Sequence, residues 1–253
     1  MTRSYPVKDF QMPDPRPAPA RPFGARTHPG LVREVNEDAV LARPHPGLWA
    51  VSDGMGGHAG GDFASRTVVE TLDALPAWLG PAELMHAARD AVQEAHARIA
   101  AEAAARGGVT IGATVVILVL AGAHFLCLWA GDSRLYRLRA GALELLSLDH
   151  SVVGEMVEAG ALTWEEAEHH PQANQITRAV GVGEVLEIDK RRGELRPGDR
   201  FLLCSDGLTR HLGPEELLRA LRDVPPAEAA GRLVEQALAG GGSDNVSVIV
   251  VDA

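Results

Sequence analysis

From Val109 to Leu128 the chain is strongly apolar and about long enough to cross a bilayer as a helix, so how this run is used decides the fold. Ala121-Gly122-Ala123 interrupts it, and His124 follows. The parts on either side are short and rich in Val, Ile and Leu. Two strands joined by a glycine turn account for this pattern better than a membrane helix does.

Other short runs of Val, Leu and aromatics have the same character: Ala39–Ala42, Leu48–Ser52, Leu135–Leu138, Arg200–Ser205 and Val246–Val251. Tight polar or glycine turns such as Arg139-Ala140-Gly141 link several of them, which predicts hairpins and antiparallel sheets and not repeated βαβ units. Helical periodicity lies between. Ala64, Val68, Leu72 and Leu75 share one face, and so do Leu84, Ala88, Val92, Ala95 and Ile99 in the segment Pro81–Arg106. Pro214-Glu215-Glu216 opens a short helix with acids on its positive end, and Ala227–Ala239 forms another, stopped by Gly240-Gly241-Gly242. Helices packed outside sheets fit this order.

Residues 1 to about 25 carry six prolines and read as a flexible tail, because such a segment cannot bury enough surface to offset its ordering entropy. The globular part is expected to begin near Thr27 and run to the last residue. Between His150 and Gly183 the pattern is irregular and polar and suggests a small inserted element. The net charge of −10 disfavours nucleic acid and membrane surfaces as partners. Cys127 and Cys204 lie in apolar runs and read as buried thiols in a reducing compartment. No secretory signal is visible at Met1–Phe10, so a soluble cytoplasmic protein is expected.

Chemistry is concentrated in carboxylates at the ends of the apolar runs: Glu37-Asp38, Asp53-Gly54, Asp132, Asp206-Gly207 and Asp244-Asn245. Strand ends hold a side chain rigidly where scaffold meets solvent. A lone Asp-Gly is first of all a turn. Here Ser-Asp-Gly occurs twice, at Ser52–Gly54 and Ser205–Gly207, and a turn requires neither the serine nor the repetition. Carboxylates without a C-x-x-C pair or a tight histidine cluster point to a hard cation such as Mg²⁺ or Mn²⁺. Two such ions about 3.5–4 Å apart support in-line phosphoryl displacement.

Five stretches in order resemble the metal-dependent protein phosphatase family, type 2C, in its bacterial branch: Arg33-Glu34-Val35-Asn36-Glu37-Asp38, Ser52-Asp53-Gly54-Met55-Gly56-Gly57-His58, Gly131-Asp132-Ser133-Arg134, Cys204-Ser205-Asp206-Gly207-Leu208-Thr209 and Ser243-Asp244-Asn245-Val246-Ser247-Val248. Asp149-His150-Ser151 and Thr177-Arg178-Ala179-Val180-Gly181 match the two ends of that family's flap, about residues 151–180. The resemblance covers about residues 27 to 252. It implies an α+β, four-layer αββα sandwich with two central antiparallel sheets and metals at one end. It also implies protein serine/threonine phosphatase activity with two Mn²⁺ or Mg²⁺ ions and a third ion seen in bacterial members. Asp53 would bridge two metals, Asp206 and Asp244 would hold the first, and Glu37 and the Gly54 carbonyl would help hold the second. Asp38 would act through bound water, Asp132 would join Asp206 at the third ion, and Arg33 would bind the phosphate. Phosphoproteins, including a Ser/Thr kinase and its targets, would be the partners of a monomeric enzyme.

Met55 stands where animal members of that family place a histidine. His58, the only histidine in the glycine-rich loop, is therefore either a proton donor to the leaving group or a residue that orders the loop or hydrogen-bonds a metal-bound water. Gly54-Met55-Gly56-Gly57-His58-Ala59 also satisfies a dinucleotide-binding pattern, but the acid it needs, Asp73, falls in a helical stretch and not at a strand end. Every ligand position is filled, which argues against a silent relative that only binds phosphoproteins. His169 and His170 read as a solvated loop, and Trp49, Trp78, Trp129 and Trp164 as packing residues.

Overall fold

The computed structural model describes residues 21–57, 60–163, 166, 170–173 and 175–253. Its strands are β1 (Phe23–His28), β2 (Asp38–Arg43), β3 (Leu48–Met55), β4 (Gly112–Ala113), β5 (Val115–Ala121), β6 (His124–Ala130), β7 (Arg134–Arg139), β8 (Ala142–Leu145), β9 (Asp189–Glu194), β10 (Arg200–Cys204) and β11 (Val246–Asp252). Its helices are α1 (Gly60–Asp73), α2 (Pro81–Ala105), α3 (Val152–Glu158), α4 (Asp206–Thr209), α5 (Pro214–Leu221) and α6 (Pro226–Ala239). One sheet has the order β1-β11-β10-β7-β8. The other has the order β2-β3-β5-β6-β9, with β4 paired to β3, and every pairing is antiparallel.

The period-two alternation of the apolar strands builds the layers. Val115, Ile117 and Val119 of β5 and Leu126, Leu128 and Ala130 of β6 pack under α1 and α2, against Val68, Leu72, Val92 and Ile99. The residues between them, Val116, Leu118, Phe125, Cys127 and Trp129, face the second sheet and meet Leu135, Phe201, Leu203 and Ile249. On the far side Leu202, Cys204, Val248 and Val250 lie under α5 and α6. The result is the four-layer αββα sandwich. The apolar run is a hairpin in register Ala121↔His124 with Gly122 at φ +57°, and no helix among the described residues is long and apolar enough to cross a membrane. The second predicted turn is also real: Ala140 and Gly141 both have positive φ, the conformation of a two-residue hairpin loop.

Several expectations need correction. Among the described residues the first strand, β1, starts at Phe23, inside the segment expected as a tail, and pairs with β11 over its full length from Phe23↔Val251 to His28↔Val246. Gly24 makes that placement fit, since a Cβ there would fall 2.4 Å from the Ala227 Cα of α6. β9 was not expected. Its sequence Asp-Lys-Arg-Arg-Gly-Glu is mostly exposed at a sheet edge, where charged side chains discourage further pairing. α3 lies in the stretch read as irregular, and Ser151 caps it, its Oγ accepting from Gly154 N–H at 3.0 Å. Trp78 is no packing residue: it is 79% exposed in the link between α1 and α2, off both apolar faces. Trp164 and His169 lie outside the described residues.

Candidate metal centre

The loops after β1, β6 and β10, the start of β11 and the end of β3 meet at one end of the sandwich. Asp38, first residue of β2, is the register partner of Asp53 in β3. β3 runs two residues beyond Asp53, because Gly54 and Met55 pair with Ala113 and Gly112. Asp132 follows β6, Asp206 opens α4 directly after β10, and Asp244 precedes β11. Both Asp-Gly glycines serve close approach and not a turn. Neither is among the positive-φ residues. A Cβ on Gly54 would fall 2.1 Å from the Gly61 carbonyl oxygen, and one on Gly207 would fall 2.0 Å from that of Asn245.

Hydroxyls and one amide fix this end. Thr114 Oγ1 accepts from Asp53 N–H at 3.0 Å and lies 2.7 Å from Ser133 Oγ, while Ser52 Oγ donates to the Thr114 carbonyl. Asn245 is buried. Its Oδ1 accepts from Glu37 N–H at 2.7 Å, and its Nδ2 donates to the carbonyls of Pro29 and Val35. The loop that carries Arg33 and Glu37 is thereby tied to the residue next to Asp244. The Glu37 backbone carbonyl accepts from Gly54 N–H at 3.1 Å, and Gly61 leaves room for the Glu37 carboxylate beside α1.

The electrostatics are those of buried, crowded carboxylates. Burial drives Asp53 well above the usual carboxylate range, and the charges of Asp38, Asp206, Asp132 and Asp244 push it further. Asp132 is pushed up to about 8 by burial, then by Asp206 and Asp149. Burial lifts Asp38 to about 7 against the hydrogen bonds of Ser247 and Ser205. Ser205 Oγ donates to Asp38 Oδ2 at 2.8 Å, but Asp38 Oδ1 is buried with no hydrogen-bond partner. A buried carboxylate oxygen without a partner is costly, and a cation is the species that would offset it.

Among the described residues no three Asp, Glu, His or Cys side chains are closed on a point as a ready cation cage. Two arginines sit on the ligands instead. Arg33 takes both oxygens of Asp244, and Arg210 takes Oδ2 of Asp206. The residues still fit hard divalent ions. The donors are all oxygen, the carboxylates repel one another, and one buried oxygen is orphaned.

Beside Asp132, Arg134 donates to both oxygens of Asp149 through three hydrogen bonds, and His150 joins three segments. His150 Nδ1 accepts from Gly131 N–H at 3.1 Å, and Nε2 lies 3.1 Å from Asp189 Oδ2 and 3.0 Å from Arg178 Nη1. Arg178 binds the other oxygen of Asp189, and Ser151 pairs with Ile176.

The structure thus brings Glu37, Asp38, Asp53, Gly54, Asp132, Asp206 and Asp244 to one end of the sandwich with Arg33 at the rim. His58 lies outside the described residues. Thr114, Asn245, Ser205 and Arg210 had no assigned role from sequence. Thr114 carried a signal: it is a lone hydroxyl inside an apolar strand run, where a buried polar group needs a partner.

The sequence profile of protein phosphatase 2C matches residues 32–239. The chain is 41% identical to the serine/threonine protein phosphatase PstP of Mycobacterium tuberculosis over 91% of its own length, but spans only 44% of that protein. It is 33% identical to the serine/threonine phosphatase stp of Listeria monocytogenes, covering 90% of this chain and 94% of that one. Among solved structures, PppA, a key regulatory component of T6SS in Pseudomonas aeruginosa, superposes with a TM-score of 0.85 at 44% identity over 91% of this chain and 96% of the other. The catalytic domain of PstP in complex with two manganese ions superposes with a TM-score of 0.79 at 40% identity, covering 91% and 96%. With the profile match over residues 32–239 and these relatives sharing its sandwich, the chain belongs to the protein phosphatase 2C family.

Proposed function

We propose that this chain is the catalytic domain of a metal-dependent protein serine/threonine phosphatase. The observation that carries this reading is the convergence of five aspartates at one end of the sandwich, with a buried Asp38 oxygen lacking a partner and a guanidinium at the rim. Asp53 is at the centre of the mutual repulsion, as a ligand shared between two ions would be. Asp206 and Asp244 would hold the first ion, Glu37 and the Gly54 carbonyl the second with Asp38 acting through water, and Asp132 with Asp206 a third. The two manganese ions of the PstP domain support the first two of these sites. When bound, Mn²⁺ or Mg²⁺ supplies an activated water for in-line attack at phosphorus and offsets charge on the phosphoryl oxygens.

The chain's own residues do the rest. Arg33 orients the phosphate through two parallel N–H donors. Asn245 and Thr114 hold the ligand-bearing backbone. As the phosphorus–oxygen bond breaks, a serine alkoxide needs a proton, and His58 is the candidate donor on sequence grounds, with loop ordering as its other role. Loss of phosphoserine hydrolysis in His58→Ala with p-nitrophenyl phosphate hydrolysis spared supports the donor role; equal losses support the other. Residues of about 151–180 form the flap and touch the protein substrate. The named activity of the bacterial relatives supports phosphoproteins as substrates; the setting proposed for them is a cytoplasmic monomer that reverses a Ser/Thr kinase.

The test is hydrolysis of p-nitrophenyl phosphate by the purified chain. Mn²⁺ or Mg²⁺ should support turnover and excess EDTA should abolish it. Full activity in EDTA refutes the reading.

A further inference from the structure

Two arginines lie on the carboxylates, and they hold them differently. Arg33 spends one donor on each oxygen of Asp244. Arg210 places both Nε, at 2.9 Å, and Nη2 on the single oxygen Oδ2 of Asp206. Oδ1 of Asp206 takes no hydrogen bond among the described residues, so one oxygen remains free to bind a cation while Arg210 stays where it is.

The surroundings make this arrangement useful. The backbone of Asp206 is already fixed, because Gly207 is pressed against the Asn245 carbonyl with no room for a side chain. Arg210 is itself anchored one turn along α4, its N–H donating to the Asp206 carbonyl at 2.9 Å. The freedom left to Asp206 is rotation of its carboxylate, and two bonds to one oxygen remove it. The guanidinium is about one-third exposed, and what holds it in place is its two bonds to one oxygen and its position one turn along α4.

We propose that Arg210 is a positioning residue that turns the Asp206 carboxylate toward the metals and remains in place when they bind. It acts through Asp206 and touches neither metal nor substrate. Groups that orient a metal ligand from behind typically change metal affinity by about 10–100-fold when removed. This inference rests on the metal-centre reading above. It also opposes the other role open to a cation at this place, that of a counter-charge which a metal must expel.

The test is calorimetric titration of the whole chain with Mn²⁺, without substrate. Arg210→Met should weaken binding by about tenfold or more, and the Mn²⁺ concentration for half-maximal hydrolysis should rise by the same factor. Arg210→Lys should recover much of the affinity, because an ammonium can also donate to one oxygen; a merely structural role would not be rescued in this way. If Arg210→Met fails to fold by circular dichroism, Arg210→Gln, with a single amide donor, is read in its place. Unchanged or tighter Mn²⁺ binding in the variant overturns the inference and leaves the metal centre standing. Absence of Mn²⁺ uptake by the unaltered chain overturns both.

Discussion

Arg33 grips both carboxylate oxygens of Asp244, Nη2 on Oδ2 at 3.0 Å and Nε on Oδ1 at 2.9 Å. The group proposed to bind phosphate therefore rests on a proposed metal ligand. A cation on Asp244 would displace it, and the freed guanidinium fork matches a phosphate. On this geometry, metal binding precedes and enables phosphate binding.

Arg33→Ala should accordingly separate two properties. The KM for p-nitrophenyl phosphate should rise by roughly 10–100-fold, the loss of charge-assisted hydrogen bonds worth about 1.5–3 kcal/mol. Mn²⁺ affinity without substrate should not fall, because a competitor for Asp244 has been removed. Steady-state kinetics at saturating Mn²⁺ and calorimetry measure the two. An unchanged KM would show that Arg33 does not hold the phosphate.

The raised carboxylates set a pH dependence on the metal-free protein. Asp38 at about 7 and Asp132 at about 8 keep protons in the fold that the unfolded chain releases near the ordinary value of 3.8. Between these limits the folded state binds more protons, so stability falls as pH rises. In EDTA, Tm should drop from about pH 5 to about pH 8, by about 2–4 °C for each kcal/mol lost. Mn²⁺ should reverse the drop. A metal-free Tm that rises over this range contradicts the assignment.

Asp53→Asn keeps shape and removes the central charge. Hydrolysis should fall by orders of magnitude, while the metal-free variant should melt above the unaltered protein at about pH 8, because an ionisable group disfavoured by burial and then by four neighbouring carboxylates has been removed. Thermal melts in EDTA and in Mn²⁺ check this. Lower stability in EDTA would mean that Asp53 serves the fold and not a ligand.

His150 ties Gly131, next to Asp132, to Asp189 and so to the two ends of the flap. His150→Ala should therefore raise KM for phosphothreonine peptides several times more than for p-nitrophenyl phosphate. Parallel kinetics on the two substrates decide it, and equal effects would remove the flap from protein recognition.

Much of this architecture was legible in the sequence where periodicity was strong. The alternation of Val115–Leu120 and Phe125–Ala130 assigns the two faces of their sheet directly, and the carboxylates stand where those runs stop. β1 and β9 were hidden because their residues owe strand conformation to β11 and β6 and not to their own side chains. The repeated Asp-Gly pairs were legible as a pattern, but their reason, backbones within 2.0–2.1 Å of an absent Cβ, exists only in three dimensions. The pairings of Arg33 and Arg210 were beyond sequence for the same reason. Arg33 meets a ligand 211 positions away, and an arginine four residues after Asp206 looks like a solvated helix pair.

The most direct measurement is phosphate release from a phosphothreonine peptide as Mn²⁺ is raised, for the unaltered chain and Asp53→Asn side by side. The predicted result is background release in EDTA, a saturable rise with Mn²⁺ for the unaltered chain, and background throughout for a folded Asp53→Asn. Release that persists in EDTA, or a near-normal rate in Asp53→Asn, would contradict it.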